Sequence, residues 1–195
     1  DELPKACAVL DPKRSDCRYP YKELSGCGVG FKLCQGLNTI YKIPESELFD
    51  LTDLLAISIA ADIVAMTGEN RVLAKLGLKT LRKTRNLGLR LLIPQEKIST
   101  FDISNIVFEI APKINAAGRI SHGKAAVKLM ISENLKQAHQ IVGDILDLND
   151  SRRELDTNIT ISATNQVIET NQEKNCSTIV YHPEWNKGVI GIVAS

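Results

Sequence analysis

The sequence has few of the features that mark disulfide-rich, zinc-binding or membrane-spanning proteins. Its five cysteines are an odd number, and no two of them form the C-x-x-C pair of many zinc and redox sites. No uninterrupted apolar run approaches the roughly 20 residues that a membrane helix needs, and no basic segment precedes an apolar one at the start. We therefore expect reduced thiols in a soluble, intracellular protein.

The sequence also has little excess of either charge. With 24 basic and 23 acidic residues, its formal net charge is +1, so any nucleic-acid-binding surface must be local. One stretch, between Asn70 and Gln95, has no acidic residue and seven cationic ones. These are Arg71, Lys75, Lys79, Arg82, Lys83, Arg85 and Arg90. Such a run is typical of a solvated helix face, and a phosphate-facing patch is the alternative.

A carboxylate stands inside the apolar stretch LLAISIAADIVAMTGENR, which runs from Leu54 to Arg71. From Leu54 to Val64 the only polar side chains are Ser58 and Asp62, which lie on the same face if the stretch is helical. A buried, ionised Asp62 would need a cation, a hydrogen-bond donor or a metal. Alternatively, Asp62 ends the helix, where it accepts backbone N–H groups or pairs with Arg71. The residues alone leave both readings open.

Apolar spacing and capping residues predict a mostly helical chain after one short buried strand at residues 5–10. The predicted helices begin at Ser25–Gly26, run from Pro44 to Thr67, run from Glu69 to Arg85 with the cations opposite the core, and cover residues 86–93 and 101–110. Residues 123–131 predict a short helix. A pattern from Glu133 to about Gln172 predicts a helix about 60 Å long, which commonly joins two domains.

Residues 111–121, APKINAAGRIS, contain Pro112 and Gly118 and are predicted to form a loop. Within them, Asn115 and Arg119 stand four apart among small residues. The guanidinium could grip a phosphate while the amide holds a partner. Equally, Arg119 could pair with a carboxylate and Asn115 could cap a turn. His122, which follows, is interpreted as a surface histidine.

The C-terminal residues combine a predicted strand, a loop and the start of a helix. Ser177–Tyr181 is rich in strand-forming residues, and the loop after it contains Lys187. A helix predicted to start at Gly188 would point backbone N–H groups at a negative ligand, although many α/β units begin a helix in this way. Both ends of the sequence look cut, because elements begin or stop almost at once.

Three stretches in this order, LLAISIAADIVAMTGENR, IAPKINAAGRIS and YHPEWNKGVIGIVAS, resemble the later motifs of the RecJ-like exonucleases in the DHH phosphoesterase superfamily. The opening residues are similar to the segment that follows the Asp-His-His signature of that family. The resemblance implies an α/β fold that is mostly helical here. It divides the chain into the C-terminal part of a DHH domain at residues 1–132, a connecting helix at 133–173 and the start of a DHHA1 domain at 174–195.

The resemblance also implies roles for individual residues. Asp62 falls on an aspartate that helps to bind two catalytic Mn²⁺ or Mg²⁺ ions, and Arg119 falls on a catalytic arginine that meets substrate phosphate. Asn115 lies in the same cleft motif. Gly188 and Gly191 fall on the Gly-x-x-Gly of the DHHA1 domain, which, with neighbouring Lys187, is expected to hold the strand. The implied reaction is metal-dependent, 5′-to-3′ hydrolysis of single-stranded DNA in repair and recombination.

The sequence departs from the family pattern at several points. The Asp-x-Asp and Asp-His-His motifs should precede residue 1 and are absent, the arginine expected after Ser195 is absent, and Asn186 replaces a histidine of many relatives. We therefore expect an internal fragment that is inactive alone. The alternatives are a DHH phosphoesterase for short oligonucleotides or nucleotides, and a catalytically silent replication scaffold. Further expectations from the resemblance are a cytoplasmic monomer that works with single-strand-binding protein and a RecQ-like helicase.

Overall fold

A computed structural model describes residues 3–120 and 123–195 of the chain, and these residues are mostly helical. The described ranges contain ten α-helices: α1 Gly26–Tyr41, α2 Glu45–Asp50, α3 Thr52–Ala61, α4 Gly68–Leu81, α5 Leu87–Leu92, α6 Ile103–Asn105, α7 Ala111–Ile120, α8 Lys124–Met130, α9 Leu135–Glu169 and α10 Ile190–Val193. A π-helical turn covers Ile106–Ile110, and 3₁₀ turns cover Gln95–Thr100 and Gln172–Lys174. The chain divides into two compact units between Ala111 and Pro112.

In the first unit, helix α3 is buried and packs against α1 and α4. Leu55 and Ile59 of α3 are fully buried and form a core cluster with Phe31 of α1 and Leu73 of α4. The α3 and α4 backbones cross closely at Gly77, where a Cβ would lie 2.1 Å from the Thr52 carbonyl oxygen. A larger residue at this position would therefore force the two helices apart.

The first unit buries a carboxylate that sequence reasoning did not single out. Asp53, at the start of α3, is 4% exposed and accepts a hydrogen bond of 2.5 Å from the Thr84 hydroxyl and one of 2.6 Å from the Leu54 N–H. Desolvation raises the pKa of the Asp53 carboxyl, although these hydrogen bonds act in the opposite direction. Burial thus favours the protonated form of Asp53. The hydrogen bond from Thr84 holds the Asp53 side chain in place.

The second unit is built around α9, whose long uninterrupted course confirms the helix predicted from the sequence. It begins at Asn134, whose side-chain oxygen accepts a hydrogen bond of 3.1 Å from the Gln137 N–H, and it contacts α8 and α10. Ala138, Val142 and Ile145 form its buried face near the start. The helix covers residues 135–169, slightly less than the predicted range.

The two predicted strands are wrong, since no strand is assigned in the described ranges. Residues 6–10 are largely exposed. Ser177–Tyr181 has no neighbouring strand, and its predicted β conformation needs one. Two glutamine side chains take that place. The Gln172 amide, in the 3₁₀ turn after α9, exchanges two hydrogen bonds with the Ile179 backbone, at 2.8 and 3.0 Å, and the Gln166 amide of α9 does the same with Tyr181, at 3.1 Å each.

The predicted loop at residues 111–121 is also wrong, because residues 111–120 form α7. The π-helical turn before it lets the Ala111 N–H donate to the Ile106 carbonyl, five residues back. Pro112 then falls in the first turn of α7, where proline is tolerated. Gly118 has open space around it and costs only about 1 kcal/mol in helix propensity. Residues 121 and 122, with the predicted surface histidine His122, lie outside the described residues.

The helix predicted from Pro44 to Thr67 is shorter and broken. Leu51 separates α2 from α3, and α3 ends at Ala61, since Ile63 adopts a left-handed backbone with φ +50°. The next helix, α4, agrees with its prediction in its buried Leu73 and Leu81, while Val72, placed on the core side, is exposed. Within the part of the chain that the structure covers, no helix is both long and apolar enough to cross a membrane.

We predict that Asp53 makes stability depend on pH in a definite direction. Its native pKa is raised above its unfolded value, so the native state holds the proton longer, and the free energy of unfolding falls as pH rises from the ordinary aspartate range through the raised value. Asp53→Asn should remove this component. Denaturant unfolding over a pH series measures it. The stability difference between wild type and Asp53→Asn should shift with pH, and Asp150→Asn, at an exposed position of α9, is the control. A pH-independent difference for Asp53→Asn would contradict the assignment.

Candidate functional site

Asp62 caps the C-terminal end of α3 and is exposed. Its N–H donates to the Ser58 carbonyl at 2.9 Å, and the Ser58 hydroxyl donates to Asp62 Oδ2 at 3.0 Å. The prediction that both side chains share a face is confirmed. Of the two readings, the structure supports the one in which Asp62 ends the helix, since α3 ends immediately before this exposed residue. The described residues contain no ion pair between Asp62 and Arg71 or another cation.

Asp62 fits the chemistry of one ligand to a hard cation. Its carboxylate is an exposed oxygen donor oriented by Ser58, the ligand type that Mg²⁺ and Mn²⁺ accept. The nearby Cys27 thiol has a raised pKa, caused first by desolvation and then by the negative charges of Asp62 and Asp53. Across residues 3–120 and 123–195, no group of three or more His, Cys, Asp or Glu could hold a metal. Asp62 alone therefore does not form a metal centre.

The turn after Asp62 is held by two side chains whose role sequence reasoning missed. The Tyr21 hydroxyl contacts the carbonyl oxygens of Thr67, at 2.9 Å, and Ala65, at 3.1 Å. Asn70, at 1% exposure, donates to the carbonyls of Glu23 and Ala65 at 2.6 and 3.0 Å. The loop of residues 19–25 thereby fixes the turn that connects Asp62 to α4.

A charged network ties this loop to α1 and α4. The Tyr19 hydroxyl donates to Glu69 at 2.6 Å, Lys32 forms an ion pair with the same carboxylate, and the Lys32 ammonium lies 5.9 Å from the centre of the Tyr19 ring. Desolvation acts to raise the pKa of the Glu69 carboxyl, but the hydrogen bonds from Lys32 and Tyr19 outweigh it and lower that pKa. Each group is half-buried, so the network stabilises the approach to the turn more than an exposed ion pair would.

Gly68 begins α4 under two constraints that exclude a side chain. Its φ is +45°, and a Cβ would lie 2.8 Å from Tyr21 Cε2. We predict that Gly68→Ala lowers stability by about 1–2 kcal/mol through backbone strain and displacement of Tyr21. Thermal unfolding measures this, with Gly36→Ala as the matched control, because Gly36 lies in α1 with nothing within 4 Å of a Cβ. An equal effect of the two substitutions would contradict the proposed constraint.

The predicted basic patch forms an exposed surface along α4 and the turn after it. Five of the seven cations of this stretch lie here, and all five are exposed: Arg71, Lys75, Lys79, Arg82 and Lys83. The first three are spaced by four residues and share one helix face. Arg82 also donates to the Phe101 carbonyl at 3.1 Å, so part of its role is structural. This geometry suits both a solvated helix face and a phosphate-facing surface.

In the second unit, Asn115 and Arg119 lie one turn apart on α7, and both are exposed. Ala116 and Ala117, between them, are fully buried. Arg119 Nη1 donates to the Gly188 carbonyl at 2.9 Å. Arg119 makes no ion pair within the described ranges, so the alternative in which it pairs with a carboxylate has no support.

The Gly-x-x-Gly stretch begins in a turn, and the helix predicted from Gly188 instead starts at Ile190 and has four residues. Gly188 donates to Asn186 Oδ1 at 2.8 Å and packs against Arg119, whereas Gly191 has open space around it. Lys187 is exposed. The structure therefore brings Arg119 and Gly188 into contact. Asp62 and the α4 cations belong to the other unit.

A cavity in the second unit was not predicted from the sequence. Its volume is about 730 Å³, and α9, residues 178–182 and α10 line it. Lys187 and Gly191 lie at its wall with Trp185, whose ring centroid is 6.1 Å from that of His182. The walls come from segments far apart in sequence, so local patterns could not indicate the cavity.

Comparison with known proteins finds similarity to exonucleases. No model of a known protein family matches it. Curated proteins that do match carry the description single-stranded-DNA-specific exonuclease. Each of these proteins is named RecJ: the chain is 39% identical over 199 residues to RecJ of Bacillus subtilis, 30% over 210 residues to that of Escherichia coli, and 31% over 172 residues to that of Thermus thermophilus.

These alignments cover the chain more completely than they cover its relatives. All of this chain aligns with the first two proteins, but it covers 24% and 36% of their lengths; with the third, the figures are 88% and 25%. The chain thus spans about a quarter to a third of the length of the curated relatives it matches.

Solved structures give the same result. A Thermus thermophilus RecJ in complex with Mn²⁺ matches with 29% identity and a TM-score of 0.76, over 90% of this chain and 26% of that one. An exonuclease RecJ bound to manganese matches with 31% identity and a TM-score of 0.78, over 91% and 44%. The resemblance to RecJ predicted from three sequence motifs is therefore confirmed along the chain.

Proposed function

We propose that this chain is part of a metal-dependent exonuclease that hydrolyses single-stranded DNA from 5′ to 3′ in repair and recombination. The observation that carries the proposal is the similarity of the whole chain to RecJ, in sequence and in fold. Asp62 and Arg119, the two proposed catalytic residues, are both exposed and engage no opposite charge within the described part of the chain. Both side chains are therefore accessible to a cation or a phosphate.

We propose three domain segments: residues 1–132 as the C-terminal part of a DHH domain, 133–173 as a connecting helix and 174–195 as the start of a DHHA1 domain. The extent of α9, residues 135–169, supports the middle segment. The boundary between the two compact units falls earlier, after Ala111, so nearly all of α7 and the whole of α8 lie in the same unit as α9.

Asp62 is proposed as one carboxylate ligand of a two-metal Mn²⁺ or Mg²⁺ site. The RecJ structures that match the chain were solved with Mn²⁺ or Mg²⁺. When bound, such ions supply a hydroxide nucleophile and neutralise phosphate charge. The hydrogen bond from Ser58 is proposed to orient the Asp62 carboxylate for metal binding. A single carboxylate cannot hold two ions tightly, so the remaining ligands are proposed to lie outside this chain.

The phosphate contacts are proposed to come from the second unit. A guanidinium carries five N–H donors in a planar fork, and Arg119 uses one on the Gly188 carbonyl, which leaves others for phosphate oxygens. Asn115, one turn earlier, supplies an exposed amide on the same α7 face. Lys187, Gly188 and Gly191 are proposed to hold the strand nearby, with Lys187 supplying a positive charge.

The cations Arg71, Lys75, Lys79, Arg82 and Lys83 are proposed to attract the DNA backbone without reading sequence. Their exposure and the absence of acidic residues among them support this role. By the resemblance alone, we further propose a cytoplasmic monomer that cooperates with single-strand-binding protein and a RecQ-like helicase.

We predict that this chain alone does not degrade single-stranded DNA, while the longer protein that we propose contains it does so with Mn²⁺. A nuclease assay on a labelled single strand measures both, and a dinucleotide substrate tests the alternative of a short-oligonucleotide phosphoesterase. In the longer protein, Asp62→Asn should reduce turnover more than about a hundredfold, since even outer-shell partners of metal ligands contribute about ten- to a hundredfold. Asp150→Asn is the control. Robust metal-dependent activity of this chain alone would contradict the incomplete site.

We predict that neutralising Lys75, Lys79 and Lys83 to Gln weakens single-strand binding in low salt and that the difference fades as salt rises. Each lost phosphate contact should reduce the salt slope of log K by about 0.7. Arg82 is spared because it donates to the Phe101 carbonyl. Lys136→Gln with Arg153→Gln, at exposed positions of α9, is the control. A salt-independent loss of affinity would show that the lysines act on structure instead.

A further inference from the structure

Arg119 contacts Gly188 with both its side chain and its backbone. Arg119 Nη1 donates to the Gly188 carbonyl oxygen at 2.9 Å. A Cβ on Gly188 would lie 2.5 Å from the Arg119 carbonyl oxygen and 3.2 Å from its carbonyl carbon. The Arg119 backbone, which a Cβ on Gly188 would meet, cannot move aside as a flexible side chain could. Gly188 therefore approaches Arg119 this closely because it has no side chain.

The Gly188 side of this contact is fixed independently of Arg119. Asn186 Oδ1 accepts the Gly188 N–H at 2.8 Å, and the Asn186 carbonyl accepts the N–H groups of Val189 at 3.0 Å and Ile190 at 3.1 Å. Val189 is fully buried and anchors the turn to the core. Since the turn is held by its own hydrogen bonds, the Gly188 carbonyl is a fixed acceptor to which the flexible guanidinium adjusts.

A fixed acceptor on one nitrogen orients the whole guanidinium, because its five N–H donors share a plane. A free arginine side chain loses rotamer entropy on being ordered. An Arg119 already held by Gly188 has lost part of that freedom before a ligand arrives. Such pre-organisation strengthens binding without adding a contact to the ligand.

We propose that Gly188 is a positioning residue for Arg119: its carbonyl and its missing side chain set the direction of the guanidinium towards a phosphodiester oxygen. Gly188 thus acts on the bound strand through Arg119 instead of by touching it. The identity of the ligand rests on the proposed function; the coupling between the two residues does not.

A double-mutant cycle tests the coupling. Binding of this chain to a fluorescent single-stranded oligothymidylate is measured by anisotropy for wild type, G188A, R119A, R119K and the doubles G188A/R119A and G188A/R119K. G188A should weaken binding about tenfold, within the range for coupled contacting residues, and should have little further effect in either Arg119 variant. Gly143→Ala and Arg153→Ala, in open positions on α9, are the matched controls. An equal loss from G188A in the wild-type and R119A backgrounds would overturn the proposal.

A second readout needs no DNA. In protein labelled with ¹⁵N-arginine, the Arg119 Nη signals should be separate in wild type, because the hydrogen bond slows rotation, and averaged in G188A. Asn186→Ala loosens the turn without adding a Cβ at position 188, so it should have an intermediate effect on the Arg119 signals. Thermal unfolding checks that each variant folds. Unchanged Arg119 signals in folded G188A would overturn the positioning role. If wild type binds no single-stranded DNA but the signals change as expected, the positioning role is supported and single-strand binding by this chain is refuted.

Discussion

The close crossing of α3 and α4 is the constraint on which the first unit depends. Gly77 lets the α4 backbone approach the Thr52 carbonyl, and the Thr52 hydroxyl bonds that of Thr80 at 2.9 Å across the same crossing. With α4 so close, α3 is buried along most of its length, and the first fully exposed residue after it stands at its C-terminal end. That end is Asp62. The packing that makes α3 the centre of the core therefore also places the proposed metal ligand at the surface.

The helices were predictable where capping and apolar spacing agreed, as in α1 and α9. Which of the two acids in and near α3 is buried could not be predicted. A helix surrounded by other elements has no polar face that would indicate which carboxylate lies inside. Asp53 is buried through Thr84, which lies 31 residues away, and Asp62 is exposed because Ile63 adopts a left-handed backbone that neither Gly nor Pro announces. Pro112 and Gly118 suggested a loop, but a π-helical turn accommodates the proline within a continuing helix.

The candidate site was only partly predictable. Asp62, Asn115 and Arg119 were proposed because each occupies a motif, and the structure shows all three exposed. The partner of Arg119 could not be found, since Gly188 lies 69 residues away and offers a backbone carbonyl, which any residue possesses. Similarly, residues 177–181 have the composition of a strand, but the side chains of Gln166, in α9, and Gln172, in the turn after it, provide the hydrogen bonds that a neighbouring strand would provide. Strands depend on distant partners, and local sequence does not supply them.

The central claim is that Asp62 binds a catalytic metal ion in a RecJ-like nuclease. The most direct measurement is a Mn²⁺ titration followed by electron paramagnetic resonance, on the longer protein proposed to contain this chain, with Asp62→Asn beside Asp150→Asn. The account predicts that Asp62→Asn weakens Mn²⁺ binding while Asp150→Asn leaves it unchanged. Equal Mn²⁺ affinity in folded wild type and Asp62→Asn would contradict it.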